Sequence, residues 1–510
     1  MSLRGLMRQE SLRRIIIVEK LYYEKDFVTS EELMEILDCS RPILLNDIRF
    51  LNEENLPIRI IKNKGLYSIE FDFHATIDTI YAYVLRSSLE YDIIESLFFE
   101  KNEKIQFAAK DLNCSFSNMQ RYLIAIKSEL LKWDIGVNHR PLQMVGDEAS
   151  IRQFYYLFFK ESRIQFSNYG FSKNLIDAVD QLIRRILADN HITNNMNVHF
   201  QLMHSFLIGL QRRKHGHKMK GLSSKCGLII PELDQLTHLG YLIRRESERP
   251  FNAAYLRECL WPLYSHQLIL TRQQQTLVHK KNRQLAHFYE ARHFLIDKVN
   301  NLLVTPLSQT ERLDTLRQLG NRLFCYNHKE CSIEIIQETD KAMLKLIGKK
   351  YGREIRKLSK IVSEFLIPRK QELLISMYIS SLITIIPDLL QRLVDADRPI
   401  RVLLLSDTST SHERFWHSVF PAYIKGSVQY EYFESPYLFQ EQLVNLTRNY
   451  DLVVTNVTMN NLVPACPLIA INTYPTSKDF DRIQQFINDY EPLPSRKELY
   501  NELTPSAKAR

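Results

Sequence analysis

Hydrophobic residues recur every three or four positions from residue 11 to about residue 395, a spacing that predicts a mainly helical chain. Strand-like alternation interrupts this pattern at 57–71 and 135–145. Further along the pattern changes, because IRVLLLS at 400–406 and DLVVT at 451–455 predict buried strands with helical segments between them. Strands that alternate with helices indicate a small α/β domain with a mainly parallel sheet.

The first helical segments have the order of a winged helix-turn-helix unit. An amphipathic helix at 11–25 precedes Thr29 and Glu32, whose spacing is that of a capping box at the start of a second helix. A turn at 38–40 leads to a third helix, and the strands after it surround a Lys62-Asn63-Lys64-Gly65 turn. This order is typical of a helix that enters the DNA major groove beside a wing that contacts phosphates.

The third helix has a predicted buried stripe of Leu44, Ile48 and Leu51, which leaves its other side chains free to face DNA. An alternative is a purely structural three-helix unit with a hairpin. Charge does not decide between the two, because residues 1–65 hold 11 basic and 11 acidic side chains. We expect the DNA-contacting residues of this unit to be Arg41, Asn46, Arg49, Lys62 and Lys64.

The segment 105–145 repeats the arrangement. A short helix and a turn precede a longer helix that Ser115 or Ser117 caps, and a second wing follows at 135–145. Asn, Gln and Arg side chains suit the reading of adenine and guanine edges. The alternative is a charged, solvent-facing helical surface. We expect the contacting residues to be Ser117, Asn118, Gln120, Arg121, Lys127, His139 and Arg140.

Composition narrows the classes of function. Glycine accounts for 14 of 510 residues, which disfavours a glycine-rich nucleotide-binding enzyme, and the net charge of +8 permits contact with a polyanion. The seven cysteines are scattered, and the one close group, Cys325, His328 and Cys331, lacks a second metal-ligand pair. We therefore expect no catalytic residue, no cofactor and no metal.

No signal region is visible at 1–10, and the uncharged stretch 373–386 is too short to span a membrane, so we expect a cytoplasmic protein without a membrane partner.

Three stretches carry a family resemblance: SRPILLNDIRFLN in the first unit, SFSNMQRYLIAI in the second, and RPLQMVGDEASIRQFYYLFF at 140–159. They resemble the Mga/AtxA group of global virulence regulators, including its RofA-like branch. The resemblance implies two DNA-binding domains, two helical PTS-regulation-like (PRD-like) domains, and a C-terminal α/β domain similar to the EIIB component of the sugar phosphotransferase system (PTS). The expected division is 1–72 and 73–160 for the winged units, 161–280 and 281–397 for the PRD-like domains, 398–490 for the EIIB-like domain, and 491–510 for a loose tail.

Regulation domains of this family are thought to respond to sugar status through histidine phosphorylation. In this chain VHFQLMHSFLIGLQRRKHGH resembles the helix that carries the first regulatory histidine, which implies His199 as the phosphorylation candidate and His204 as its neighbour. The alternative is an ordinary, locally satisfied helix histidine. The matching helix of the second regulation domain, at 372–383, contains no histidine, so we do not expect phosphorylation there.

The C-terminal domain departs from the EIIB pattern at the loop that would hold a phosphorylated cysteine. The loop is Ser406-Asp407-Thr408-Ser409-Thr410, and serine is a poor nucleophile without an activating base. His412 is the nearest histidine, and no residue that would fix it is evident from the sequence. We expect this domain to be a scaffold for self-association.

The sequence thus predicts a DNA-binding transcription regulator. The resemblance further implies an activator of virulence or carbohydrate-responsive genes, whose activity is tuned by PTS-linked histidine phosphorylation and by oligomerisation. The expected partners are double-stranded DNA, a second copy of the chain in a homodimer or higher oligomer formed through the α/β domain, and PTS phosphocarrier proteins. The alternatives are a PTS-type phosphotransfer component and an RNA-binding antiterminator. Two winged units favour duplex DNA, because sequence-specific RNA recognition prefers single strands and stacking platforms.

Overall fold

The structure is a computed structural model that describes residues 4–23, 27–53, 56–193, 196–323, 336–367, 372–432, 440–457 and 464–490. The group Cys325, His328 and Cys331 and the predicted tail at 491–510 lie outside these residues. Within the described ranges, no group of three or more His, Cys, Asp or Glu side chains is arranged to hold a metal ion.

The N-terminal part forms a three-helix unit with a three-stranded antiparallel sheet. A short 3-10 turn at Arg4–Leu6 precedes it. Its sheet has the order β1-β3-β2, and β1 is a two-residue strand that the hydrophobic pattern did not predict. Its elements are α1 (Gln9–Tyr23), β1 (Val28–Thr29), α2 (Ser30–Leu37), α3 (Arg41–Glu53), β2 (Ile58–Asn63) and β3 (Leu66–Phe71).

A second unit with its own hairpin follows without a long linker. The predicted stripe of its long helix is buried at Met119, Leu123, Ile126 and Leu130. The elements are α4 (Ile77–Arg86), α5 (Leu89–Phe99), α6 (Ile105–Asp111), α7 (Phe116–Leu130), β4 (Ile135–His139), β5 (Leu142–Gly146) and α8 (Glu148–Glu161).

The middle of the chain is helical, as the periodicity predicts. The last helices of this region include α18, whose uncharged stretch after Glu372 is largely buried. The helices are α9 (Lys173–Asp189), α10 (Met196–Lys214), α11 (Thr237–Ser247), α12 (Ala253–Cys259), α13 (Trp261–Tyr264), α14 (Arg272–Lys281), α15 (Arg283–Asn300), α16 (Gln309–Leu323), α17 (Thr339–Phe365), α18 (Glu372–Ile385) and α19 (Leu389–Asp395).

The C-terminal part is a four-stranded, wholly parallel sheet with the order β7-β6-β8-β9. One face packs on a core around Trp416, Phe420 and Ile483, and the other buries Leu403 and Val453. Burial on both faces explains why the two central strands, at 400–405 and 452–455, are nearly continuous hydrophobic runs. The elements are β6 (Ile400–Leu405), α20 (Thr410–Tyr423), β7 (Val428–Tyr432), α21 (Gln440–Thr447), β8 (Leu452–Thr455), β9 (Leu468–Ala470) and α22 (Ser477–Asp489).

The chain divides into two compact units, residues 1–292 with 313–339 and residues 293–312 with 340–510. In the first, one continuous hydrophobic core runs from Leu6 to Leu268, so both N-terminal winged units and the first helices of the middle are packed together. Among the described residues no single helix is long and apolar enough to cross a membrane, although α18 and α19 pass that test as a pair bent by 87°.

Candidate nucleic-acid interface

A local capping motif fixes the start of α2, the helix that precedes the first candidate recognition helix, α3. The Thr29 hydroxyl accepts a hydrogen bond from Glu32 N at 3.1 Å, and the Glu32 carboxylate accepts one from Thr29 N at 2.8 Å, which confirms the predicted capping box. In α3 the predicted stripe is buried, and Arg41, Asn46 and Arg49 lie on the exposed side.

A buried carboxylate that sequence reasoning missed fixes α3 against α1. Asp47 is 1% exposed and accepts hydrogen bonds from Arg13 Nε at 2.8 Å and Arg14 Nε at 3.2 Å. The Arg14 guanidinium also lies 3.5 Å from the centroid of the Phe50 ring. Two cations that hold one anion orient the exposed face of α3. The available signal was an aspartate one residue before Ile48, on the apolar side of the helix.

The first wing is joined to α3 by a second missed residue. Asn52 Nδ2 donates to Ile60 O at 3.0 Å, and Ile60 N donates to Asn52 Oδ1 at 2.8 Å. At the tip Lys64 and Gly65 adopt positive φ values of 48° and 88°, as a tight hairpin requires. Lys62 and Lys64 are exposed there. These two hydrogen bonds therefore attach the wing to the recognition helix.

The second candidate recognition helix, α7, begins at Ser115 rather than Ser117. The Ser115 hydroxyl accepts a hydrogen bond from Asn118 N at 3.2 Å, so Ser117 is a helical residue in the first turn and is exposed. The Arg121 guanidinium donates to Asn118 Oδ1, which leaves the half-buried Asn118 as a partner that orients Arg121. Two further exposed side chains of the predicted set, Gln120 and Lys127, lie along the same helix.

The second wing places both of its predicted contact residues in solvent. His139 and Arg140 are exposed at the turn between β4 and β5. Asn138, in contrast, is committed to the turn itself, because its Nδ2 donates to Arg140 O at 3.0 Å and its Oδ1 accepts from His139 N at 2.9 Å. His139 and Arg140 are thus available for phosphate contacts, and Asn138 shapes the turn that presents them.

The start of the chain packs on the second recognition helix. The Arg8 guanidinium lies 4.0 Å from the centroid of the Tyr122 ring, and Arg8 N donates to Glu90 Oε1 at 3.1 Å. Burial raises the pKa of the Glu90 carboxyl. A cleft of about 440 Å³ lies between this segment and α7, and Arg121 forms part of its wall. Residues before the first winged unit therefore position the recognition helix of the second winged unit.

A buried charge network connects the second unit to the helices of the middle region. Glu148 on α8 accepts hydrogen bonds from Arg152 Nε at 2.9 Å and from Arg212 Nη2, on α10, at 2.7 Å. Arg212 also donates to Glu100 Oε1 at 3.0 Å, and Arg152 donates to Glu258 O at 2.6 Å. Burial favours protonation of Glu148, but the two guanidinium groups outweigh it and lower the pKa of Glu148.

The same network includes a histidine from the loop after α10. His217 Nε2 lies 2.5 Å from Glu100 Oε1, and His215 Nδ1 lies 3.9 Å from the other oxygen of that carboxylate. Burial lowers the pKa of His215, against the attraction of Glu100. Sequence reasoning did not find this cluster, since its members lie up to 117 residues apart.

The two phosphorylation candidates on α10 have different surroundings. His204 is enclosed by Phe166 and Tyr169, its Nδ1 lies 2.8 Å from the Tyr169 hydroxyl, and burial together with Lys160 lowers its pKa to about 4. His199 is also buried, and its Nε2 lies 2.7 Å from Oδ1 of the partly exposed Asp180. Burial would raise the pKa of Asp180, but its bonds from Arg184 and His199 lower it.

The loop after β6 corrects one expectation about His412. The sequence offered no partner for it, yet its Nδ1 lies 2.7 Å from the Ser406 hydroxyl. The Ser406 amide donates to Glu413 Oε1 at 2.9 Å, and burial raises the pKa of that carboxyl. The first turn of α20 brings the histidine back over the loop, a return that the linear sequence does not display.

Two family models match the N-terminal half of the first compact unit. An Mga helix-turn-helix domain matches residues 73–159, and an HTH domain matches residues 13–67. These ranges contain both recognition helices and the second hairpin, and the range 13–67 ends within β3 of the first hairpin. The fold and the site therefore define a helix-turn-helix, DNA-binding transcription regulator.

Relatives extend this likeness to most of the chain. A Streptococcus pneumoniae protein named as a trans-acting regulator is 22% identical across 89% of this chain and 93% of its own length. The capsule synthesis positive regulator AcpB of Bacillus anthracis is 20% identical across 94% of this chain and 99% of its own length. The anthrax toxin expression trans-acting positive regulator of the same species is 22% identical across 29% of this chain and 31% of its own. Over most of its length the chain is therefore similar to trans-acting regulators of the Mga/AtxA type, as the sequence resemblance indicated.

Proposed function

We propose that this protein is a transcriptional activator that binds duplex DNA through both winged units and controls virulence or carbohydrate-responsive genes. The observation that carries the proposal is the pair of recognition helices, each with a buried apolar side and an exposed side of basic and amide side chains. Relatives named as positive regulators of capsule synthesis and toxin expression support the sign of regulation and the class of genes. This role places the protein in the cytoplasm, where bacterial DNA is, and needs no catalytic group or cofactor.

The contacts divide into two kinds. Arg41, Asn46 and Arg49 on α3, with Ser117, Gln120, Arg121 and Lys127 on α7, face the major groove, and Asn118 acts by orienting Arg121. The wing residues Lys62, Lys64, His139 and Arg140 contact phosphates. The phosphate contacts supply most of the affinity and make it fall steeply with salt.

The test is binding of the full chain to a duplex of about 40 base pairs, four helical turns, in a salt series from about 50 to about 200 mM. Replacing Lys62 and Lys64 together by Gln should reduce the slope of log affinity against log salt by about 2. The matched control is Arg185→Ala, since Arg185 forms an exposed pair with Asp189 on α9 and lies in neither winged unit. Absence of duplex binding by the folded protein at the lowest salt would reject the proposal.

Regulation is proposed to act through His199, with a PTS phosphocarrier protein as the phosphoryl donor. Both histidines are buried, His199 with 9% and His204 with 7% of its surface exposed. His199 pairs with Asp180, whose side chain is 29% exposed, whereas the Nδ1 and ring faces of His204 are occupied. A phosphoryl group on His199 would place negative charge beside Asp180 and so disrupt their 2.7 Å pair. Incubation with a phosphorylated phosphocarrier should label the wild type and not His199→Ala, and labelling of His204→Gln should be unchanged. Labelling that persists in His199→Ala would exclude this site.

Self-association is proposed to use the C-terminal α/β domain, giving a homodimer or higher oligomer. Large aromatic side chains stay exposed there, Phe415 and Tyr423 on α20 and Tyr474 before α22. The α/β part has hydrophobic cores of its own on both faces of its sheet, which supports its treatment as a separate domain, and the exact limits at 160, 280 and 397 stay predictions. Sedimentation should show a smaller assembly for Phe415→Ser with Tyr474→Ser, and no change would remove this surface from the proposal.

A further inference from the structure

Each recognition helix exposes an aliphatic side chain within its polar DNA-facing side, Leu45 on α3 and Ile124 on α7, whereas Ile43, also exposed on α3, lies on nearly the opposite side of that helix. On α3, Leu45 follows Arg41 by one turn and precedes Arg49 by one turn, and it is 42% exposed. On α7, Ile124 follows Gln120 by one turn and precedes Lys127 by nearly another, and it is 67% exposed. Residues four apart on a helix share a face, so each aliphatic group lies within the face assigned to DNA.

Neither side chain belongs to the hydrophobic core. The continuous core takes Leu44 and Ile48 from α3, and Leu123 and Ile126 from α7. Single exposed apolar residues are common on protein surfaces. The informative feature is their placement, because both helices put an aliphatic group in the middle of a basic and amide stripe.

The major groove offers one apolar group, the C5-methyl of thymine. Arginine beside Leu45 and glutamine beside Ile124 read purine edges by hydrogen bonding, whereas an aliphatic side chain gains only by covering a methyl group. The positive charges of the flanking residues Arg41, Arg49 and Lys127 attract the two helices to the DNA phosphates. We infer that Leu45 and Ile124 read thymine methyl groups, so that the protein prefers A·T pairs beneath the centre of each recognition helix. This inference rests on the proposed DNA binding.

The test compares two A·T-rich duplexes of about 40 base pairs that differ only in having deoxyuridine in place of every thymidine. The wild type should bind the uracil duplex roughly fifteenfold more weakly, because the absence of each of the two methyl groups weakens binding about fourfold. Leu45→Ala and Ile124→Ala should each reduce this ratio about fourfold, and the double variant should bind both duplexes alike. The ratio should also stay constant as salt rises, because the interaction with the methyl group is apolar.

Matched controls use aliphatic side chains of similar exposure in the second compact unit, Leu346→Ala and Ile367→Ala, which should keep the wild-type ratio. Equal wild-type binding to both duplexes would overturn the inference and leave DNA binding intact. A wild-type preference that survives in the double variant would overturn it too, because other residues would then read the methyl groups. If only one of the two single variants reduces the ratio, the assignment for the other helix is overturned. If the protein binds neither duplex, the failure lies with the proposed function.

Discussion

Glu148→Gln should destabilise the first compact unit by more than any surface change of the same kind. The Glu148 carboxylate is the shared counter-charge of Arg152 and Arg212, both of which are fully buried. Removing one partner of a buried ion pair costs about 3–5 kcal/mol, because the remaining charge is left uncompensated. Here Arg152 keeps Glu258 and Arg212 keeps Glu100, so we expect the lower end of this range, about 3 kcal/mol.

Differential scanning calorimetry of the full chain would measure this loss as a fall in Tm. At about 2 °C for each kcal/mol, the transition of the first unit should fall by about 6 °C at pH 7. The control is Glu372→Gln, which removes an exposed pair with Lys341 at 3.0 Å and should cost less than about 1 kcal/mol.

The pH dependence gives the same prediction an independent check. Because the fold lowers the pKa of Glu148, its contribution is complete above the unfolded pKa of about 4.5 and is lost as pH falls through the lower folded value. The difference between wild type and Glu148→Gln should therefore shrink below about pH 4.5. A variant whose Tm at pH 7 matched that of Glu372→Gln would show that the network is not a stabilising clamp.

Three further predictions concern local structure. The pKa of His204 is about 4 in the folded protein and about 6.5 in the unfolded chain, so the free energy of unfolding should fall by about 3 kcal/mol as pH drops from 6.5 to 4. Urea titrations of the wild type should show this loss, and it should be absent in His204→Gln. Asn52→Ala leaves the amide and carbonyl of Ile60 without their Asn52 partner, so it should lower the free energy of unfolding by about 1–3 kcal/mol and weaken duplex binding. Unchanged binding and stability would show that other contacts hold the wing. Thr29→Ala should cost about 1 kcal/mol, and Thr29→Ser, which keeps the cap, should restore it in the same titration.

Features set by neighbouring residues could be predicted from the sequence. The Thr29 cap depends on Glu32 three residues later, and the buried stripes of α3 and α7 follow from helical periodicity alone. The central parallel strands of the C-terminal sheet, β6 and β8, were visible because each is buried on both faces.

Features that join distant residues could not be predicted. Asp47 looks like an interruption of an apolar stripe until the fold brings Arg13 and Arg14 against it. Ser406 and His412 are six residues apart, yet only the turn into α20 brings their side chains together. The capping choice between Ser115 and Ser117 was likewise open, since both residues are serine and the helix start differs by two positions. Hydrophobic periodicity locates elements but does not record which polar side chains meet across them.

One helix connects the proposed regulatory histidine with the DNA-binding part of the chain. His199 and Arg212 both lie on α10, 13 residues apart, which corresponds to about 20 Å along a helix axis. Between them Gly209 packs so closely on α12 that a Cβ there would lie 2.9 Å from Cys259 Cα, so α10 cannot shift without disturbing its neighbour. At its end Arg212 holds Glu148 and Glu100 of the second winged unit. A charge added at His199 therefore acts on a rigid element whose other end is bound to the unit that carries α7, which gives the proposed phosphorylation a physical route to DNA binding.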